Sequence, residues 1–292
     1  MDTQHLKAFI TVAKLNSFTA AANQLHLTQP AISKRIASLE EQLSCKLFDR
    51  VARDISLTQA GVELLPRAQQ ILQSVIDTEL AISNLSGKIA GTLRLATSHH
   101  IGLHHLPQIL KRFTQHYPDV HLELDFIDSE KAYAAVMRSD TELAIITLSS
   151  NTADNIHTVE LWQDPLSFVV AKDHPLAQQP TLSLQQLAQY PAILPDTSTQ
   201  TTRLVRQMFE QQGLTLSISM ATNYLETIKM MVSIGLGWST LPDTMIETEQ
   251  VSELKVLTIH NSNLRRTLGC IHHKDRTLSN PARAFLSALT ET

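Results

Sequence analysis

Apolar residues at the start of the chain recur at the spacing of helices buried on one face. Leu6, Phe9, Ile10 and Ala13 form the first such stripe. Ser17 is placed to cap a short second helix over 18–25, whose alanines permit close packing. Thr28 is placed to cap a third, with Pro30 in its first turn, where a missing N–H costs nothing. In that helix Ile32, Ile36, Leu39 and Leu43 keep an inward-facing stripe. Gln29, Pro30, Ser33, Lys34, Ala37 and Ser38 lie away from it, on a face that is small, polar and cationic. Residues 46–57 then read as strand, charged turn, strand, with Arg53 at the tip of the turn.

From Thr58 to about Gly87 a helical pattern runs on, with Pro66 in an early turn where its cost is least. Leu65, Ala68, Leu72, Val75 and Ile82 follow a seven-residue pattern, with Leu64, Ile71 and Leu85 alongside. A seam of this length calls for a partner helix, and packing against the chain's own body is the alternative. From Gly91 the pattern alternates. Strands are predicted at 92–97, 120–126, 142–147, 166–171, 192–194, 216–221 and 267–272, and helices at 104–116, 129–138, 200–212, 225–234 and 281–289. This alternation implies parallel strands with helices on their faces, in two small α/β lobes rather than one sheet. The expected domains are a head over 1–58, a linker helix over 59–90 and a body over 91–292. One lobe of the body takes about 91–162 and 266–292, the other about 163–265.

The 292 residues are 43% hydrophobic and 18% charged, enough apolar content for real cores and too much for a disordered chain. No apolar run approaches the roughly 18 residues of a membrane span. The opening Met1–Lys7 lacks the layout of a secretion signal, so a soluble, cytoplasmic protein without membrane contact is expected. Cys45 and Cys270 are the only cysteines, which excludes a disulfide framework and a cysteine-rich zinc site. Charge is uneven: residues 1–61 carry seven cations against five anions, and the remainder 17 against 23. A mildly basic head on an acidic body fits a small module that meets a polyanion.

Two helices joined by a tight turn, the second capped and presenting Gln, Ser and Lys, describe a helix-turn-helix. Its second helix sets N-terminal residues against base edges in the major groove. Gln pairs with adenine, Ser suits several base edges, and Lys suits guanine or phosphate; Arg53 on the wing could reach a minor groove or phosphate. The same pattern is also that of a solvated helical face beside a solvated hairpin. The residues Phe9, Val12-Ala13, Ser17-Phe18-Thr19, Ala21-Ala22, Leu25, Thr28-Gln29-Pro30-Ala31-Ile32-Ser33, Ile36, Leu39-Glu40, Leu43, Leu47-Phe48, Arg50, Leu57-Thr58 and Ala60-Gly61 decide between them. At this spacing they resemble the LysR-type transcriptional regulators of bacteria over the whole head. Ser44 departs from the pattern, since the family usually ends the recognition helix on Gly, the residue most at ease in a left-handed cap. The resemblance implies a winged helix-turn-helix that contacts double-stranded DNA through Gln29, Pro30, Ser33, Lys34 and Arg53. It also implies dimerisation through the linker helix, so Leu65, Ala68, Leu72, Val75 and Ile82 are the expected contacts. Homodimers or homotetramers follow, with a roughly palindromic site and RNA polymerase as a further partner.

In the body, Gly91, Leu93-Arg94-Leu95, Leu106-Pro107, Phe113, Tyr117-Pro118, Val120, Gly235-Leu236-Gly237 and Leu241-Pro242 resemble landmarks of the LysR effector domain, itself similar to type 2 periplasmic binding proteins. A small molecule between the lobes is then expected to shift how the heads assemble on DNA. By this resemblance Ser98, His99, Thr147, Thr197, Ser198, Thr199 and Asn223 face the ligand. Hydroxyl-rich segments before helices favour an anion, because helix starts offer unpaired N–H groups. Asn223 with Glu226 three residues on also fits a plain capping box. No cofactor is expected. His99, His100, His104 and His105 suggest a metal-responsive alternative, with His100 and His104 one helical turn apart, but no carboxylate or Cys shares their segment. No phosphate loop, nucleophile elbow or paired acid and base is present, which argues against an enzyme attached to a DNA-binding head.

Overall fold

Short polar caps decide where the helices of the head begin. The computed structural model describes every residue except 52, 53, 150, 247–252, 261 and 292. The chain forms two compact units, Met1–Ser86 and Gly87–Thr292. In the first, α1 (Thr3–Leu15), α2 (Phe18–Gln24) and α3 (Gln29–Leu43) are followed by the hairpin β1 (Phe48–Val51) and β2 (Asp54–Leu57), then by α4 (Gln59–Asn84). The hydroxyls of Ser17, Thr28 and Thr58 accept from the backbone N–H of Ala20, Ala31 and Gly61, as their positions predict. Ser44 closes α3 in the left-handed region at φ 52°, a backbone that disfavours any residue with a Cβ.

Leu6, Phe9, Val12, Ile32, Ile36, Leu39, Leu47 and Phe48 make the head core, with Phe48 against the rings of Phe9 and Phe18. A Cβ on Gly61 would strike the Leu47 carbonyl, so glycine lets α4 pass close to the base of the hairpin. The start of α4 thus belongs to the head, and the boundary expected at residues 58 and 59 is absent. The expected dimer seam divides for the same reason. Ala68 is 0% exposed in the head core, and Leu65 and Leu72 pack partly against it. Val75 and Ile82 remain open, the latter 66% exposed, together with Val62, Ile71, Ile76 and Leu85.

The second unit begins with β3 (Gly91–Thr97), α5 (His99–His104), α6 (Pro107–His116), β4 (Val120–Phe126), α7 (Ser129–Met137) and β5 (Leu143–Thr147). The helix expected over 104–116 begins at Pro107, which stands in its first turn, and is preceded by the short α5, which the pattern did not mark. Next come β6 (Ile156–Ala171), α8 (Leu184–Leu187), β7 (Ala192–Leu194), α9 (Gln200–Glu210), β8 (Ile218–Ala221) and α10 (Leu225–Ser233). The chain closes with β9 (Ser239–Pro242), β10 (Leu254–Leu257), β11 (Arg265–His273) and α11 (Asn280–Thr290). Strand β6 is 16 residues long where the pattern marks only its second half. Its centre carries Gln163-Asp164-Pro165, which breaks the apolar signal.

That long strand joins the lobes. Its residues 156–165 pair with β11, and 166–171 pair with β9 and β10. Hydrogen bonding therefore runs through one seven-stranded sheet, in the order β10-β6-β11-β5-β3-β4 with β9 also on β6, instead of two separate sheets. The lobes still have distinct cores. Leu93, Leu95, Phe113, Ile145, Leu268 and Phe285 cover one sheet face of the first lobe, and Ala132, Val136, Ile146 and Ile271 the other. Phe168, Val205, Phe209 and Trp238 centre the second lobe beside the small β7-β8 pair.

Replacing Ser44 by Gly removes the Cβ from a left-handed backbone. Ser44→Gly is expected to stabilise the head by about 1 kcal/mol, seen as a raised unfolding midpoint by circular dichroism. A lowered midpoint would contradict this reading of the cap.

Candidate functional site

The outer face of α3 stands as the helical periodicity requires. Gln29, Pro30 and Lys34 are exposed and Ser33 is half-buried. The Gln29 amide donates to Ser33 Oγ at 3.1 Å, one turn along, which orients the Gln side chain on the surface. No ion pair engages Lys34 among the described residues. Arg53, expected at the wing tip, lies outside the described residues, although the register Phe48↔Leu57 through Val51↔Asp54 does form the two-stranded wing. Helical periodicity gave no sign of the role of Glu40. Its carboxylate accepts from Lys46 Nζ at 2.8 Å and from the Leu47 N–H at 2.9 Å, tying the end of α3 to the base of the wing. Burial alone would raise this carboxyl; Lys46 and the backbone N–H groups outweigh it and hold the group below its ordinary range.

In the body, a cleft gathers the ends of β3 and β5 and the starts of α7, α9 and α10. Of the residues expected to face a ligand, Ser98, His99, Thr147, Thr199 and Asn223 line it. Thr197 and Ser198 do not. Both are exposed, and Ser198 is held in a turn by Asp196, whose Oδ1 accepts from the Ser198 N–H and Oγ–H. Asn223 is no helix cap: α10 starts after Tyr224 without a side-chain cap, and Asn223 Oδ1 accepts from the Asp196 N–H at 2.8 Å. Thr199 does cap α9, accepting from the Thr202 N–H at 3.3 Å. Ser98 begins α5 with no side-chain cap bond, which leaves its hydroxyl for the cleft. His99 sits between two rings, stacked on Phe126 at 5.5 Å and tilted against Tyr224 at 5.2 Å.

Three charged residues on the cleft wall went unread in the sequence: Asp128, Glu130 and Arg266. Arg266 is buried at the start of β11, directly opposite Asp164 of β6. Its Nε donates to Asp164 Oδ2 at 2.7 Å and a terminal guanidinium nitrogen donates to Thr201 Oγ1 at 2.9 Å. His100 Nε2 lies 3.7 Å from the same carboxylate. Burial pushes Asp164 up, but His100 and Arg266 outweigh it and hold the carboxyl below its usual range. Burial pushes His100 and His105 down, against the opposing pull of Asp164. The histidine run therefore splits: His99 faces the rings, His104 comes within 3.8 Å of Glu226, and His100 and His105 turn towards Asp164. An arginine in a strand could have flagged this group, but its partner sits in the half of β6 that the pattern did not mark.

Two family descriptions cover nearly the whole chain: a bacterial regulatory helix-turn-helix of the lysR family over residues 3–62, and a LysR substrate binding domain over 86–292. A probable RuBisCO transcriptional regulator of Synechocystis is 31% identical over 96% of this chain and 83% of its own. An uncharacterized HTH-type transcriptional regulator of Azotobacter vinelandii is 59% identical over 37% of this chain and 74% of its own. Among solved structures, full-length CbnR in complex with its target DNA superimposes with a TM-score of 0.66. It is 20% identical, over 100% of this chain and 99% of that one. A capped reading helix with its wing, a two-lobed body with a polar cleft, and these matches agree: the chain belongs to the LysR family of DNA-binding transcriptional regulators, with an effector-binding body and no enzymatic role.

Proposed function

We propose that the effector is a small carboxylate carrying hydroxyl or amino groups. The observation that carries this is the mixed chemistry of the cleft. Ser98, the Asn223 amide and the start of the 11-residue α9 supply donors. Arg266 adds a guanidinium, of whose five N–H donors two are engaged by Asp164 and Thr201. Asp128 and Glu130 add acceptors, which suits donors on the ligand. Binding to residues of both lobes favours the arrangement that brings them together, so the ligand shifts a population by its differential affinity.

At the other end of the chain, Gln29, Pro30, Ser33 and Lys34 read or grip DNA, with Arg53 expected to assist from the wing. The exposed apolar positions of α4, Val62, Ile71, Val75, Ile76, Ile82 and Leu85, support pairing with the same helix of a second copy. A dimer presents two reading helices to a roughly palindromic site and raises affinity through effective concentration. Tetramers and contact with RNA polymerase are the further assembly that the family build would support.

Calorimetry against a panel of hydroxy and amino acids, with their methyl esters as neutral controls, tests the ligand class. Binding of an acid and not its ester is expected, weakened about tenfold by Ser98→Ala or Asn223→Ala, in line with loss of one charge-assisted hydrogen bond. Binding only of neutral or cationic compounds would overturn the reading. For DNA, Lys34→Ala is expected to weaken binding and flatten the dependence of log K on log salt by about one counterion. Fluorescence anisotropy on the intergenic DNA beside the gene measures it, and an unchanged slope would remove Lys34 from the phosphate contacts.

A further inference from the structure

Beneath the cleft, three side chains from two strands of sequence far apart point at one another and satisfy little else. His100 belongs to α5, His105 follows it, and Asp164 comes from the centre of β6. Their ligand-type atoms all lie within 4.8 Å of one another. Asp164 is 1% and His100 6% exposed. Both ring nitrogens of His100, Nε2 of His105 and Oδ1 of Asp164 are buried without a hydrogen-bond partner. Buried polar groups are paired almost without exception, because an orphan costs about 1–3 kcal/mol. One nitrogen from each imidazole and the Asp164 carboxylate come together here, with unpartnered atoms on all three side chains, and this calls for an occupant.

We propose that His100, His105 and Asp164 hold a first-row divalent metal ion, with zinc the best fit to two imidazoles and one carboxylate. Three protein ligands with a fourth position left to water is an established zinc arrangement. Bonds of about 2.1 Å in a tetrahedron place ligand atoms about 3.4 Å apart, so the three side chains draw together by roughly an ångström on binding. The carboxylate can serve two partners, because Arg266 occupies Oδ2 and leaves Oδ1 to the ion. Arg266 then acts as the outer partner that orients a ligand carboxylate. His105 is further held by stacking on Trp162 at 4.8 Å. The sequence pointed to His100 with His104, yet His104 is spent on the Glu226 side, and the carboxylate the segment lacks arrives from β6.

Such an ion sits at the crossing of β6 and β11, beside His100 and Arg266, which also line the cleft. Its binding and that of an effector would be linked through Asp164 and Arg266, each altering the other's affinity by the same factor.

The test uses untagged full-length protein, dialysed against a chelator. Cobalt(II) is titrated as a visible-absorption probe, and zinc is titrated in competition with a chromophoric chelator. One saturable equivalent per chain is expected, with visible bands of a low-symmetry cobalt site. His105→Phe retains the ring stack on Trp162 and removes the ligand nitrogen, so it should fold and lose at least tenfold in affinity. His157→Ala, in the exposed part of β6, should bind like the wild type. Equal affinity in wild type and His105→Phe would overturn the site. So would the absence of any saturable equivalent, which would leave a bridging water as the occupant. Neither readout involves DNA or an organic effector, so failure here leaves the effector reading intact.

Discussion

The body of this protein depends on the pairing of β6 with β11. Arg266 and Asp164 face each other across that pairing at the point where the sheet passes from one lobe to the other. Both are buried, and neither charge would be tolerated there alone: breaking such a pair from one side typically costs about 3–5 kcal/mol. The pair also fixes register. A one-residue slip would turn the alternating side chains of β6 to the wrong faces and leave both charges without partners. Because Arg266 continues to Thr201 at the start of α9, the same contact that joins the strands positions one wall of the cleft.

The head is built on a different constraint. Its core is small, so the start of α4 completes it, through Ala68 in the interior and Gly61 against the Leu47 carbonyl. Glu40 then fastens the end of α3 to the base of the wing. Rigid placement of a short recognition helix matters because each base contact tolerates little misplacement. The remainder of α4 leaves Val62, Ile71, Val75, Ile76, Ile82 and Leu85 exposed.

Specificity in the two halves has different origins. On α3 the surface chemistry is local, since Gln29 and Ser33 lie one turn apart and bond to each other. In the cleft it is assembled from at least five elements, whose contributions are interleaved in sequence. The residues expected to face a ligand line the cleft where they sit at the mouth of an element, as with Ser98, Thr147 and Thr199, and stand outside it where a neighbouring turn holds the side chain, as with Ser198.

The sequence alone determined the head, its reading face, the start of the linker helix and the alternating build of the body. These follow from short-range rules: apolar spacing, caps and proline positions act within a few residues and leave a readable pattern. Only the tertiary structure decided that Ala68 enters the core of its own head, that β6 runs through both lobes, and that Asp164 meets His100, His105 and Arg266. Each of these joins residues far apart in the chain. Burial and charge pairing, which have no period along the sequence, select them, so no local pattern could announce them.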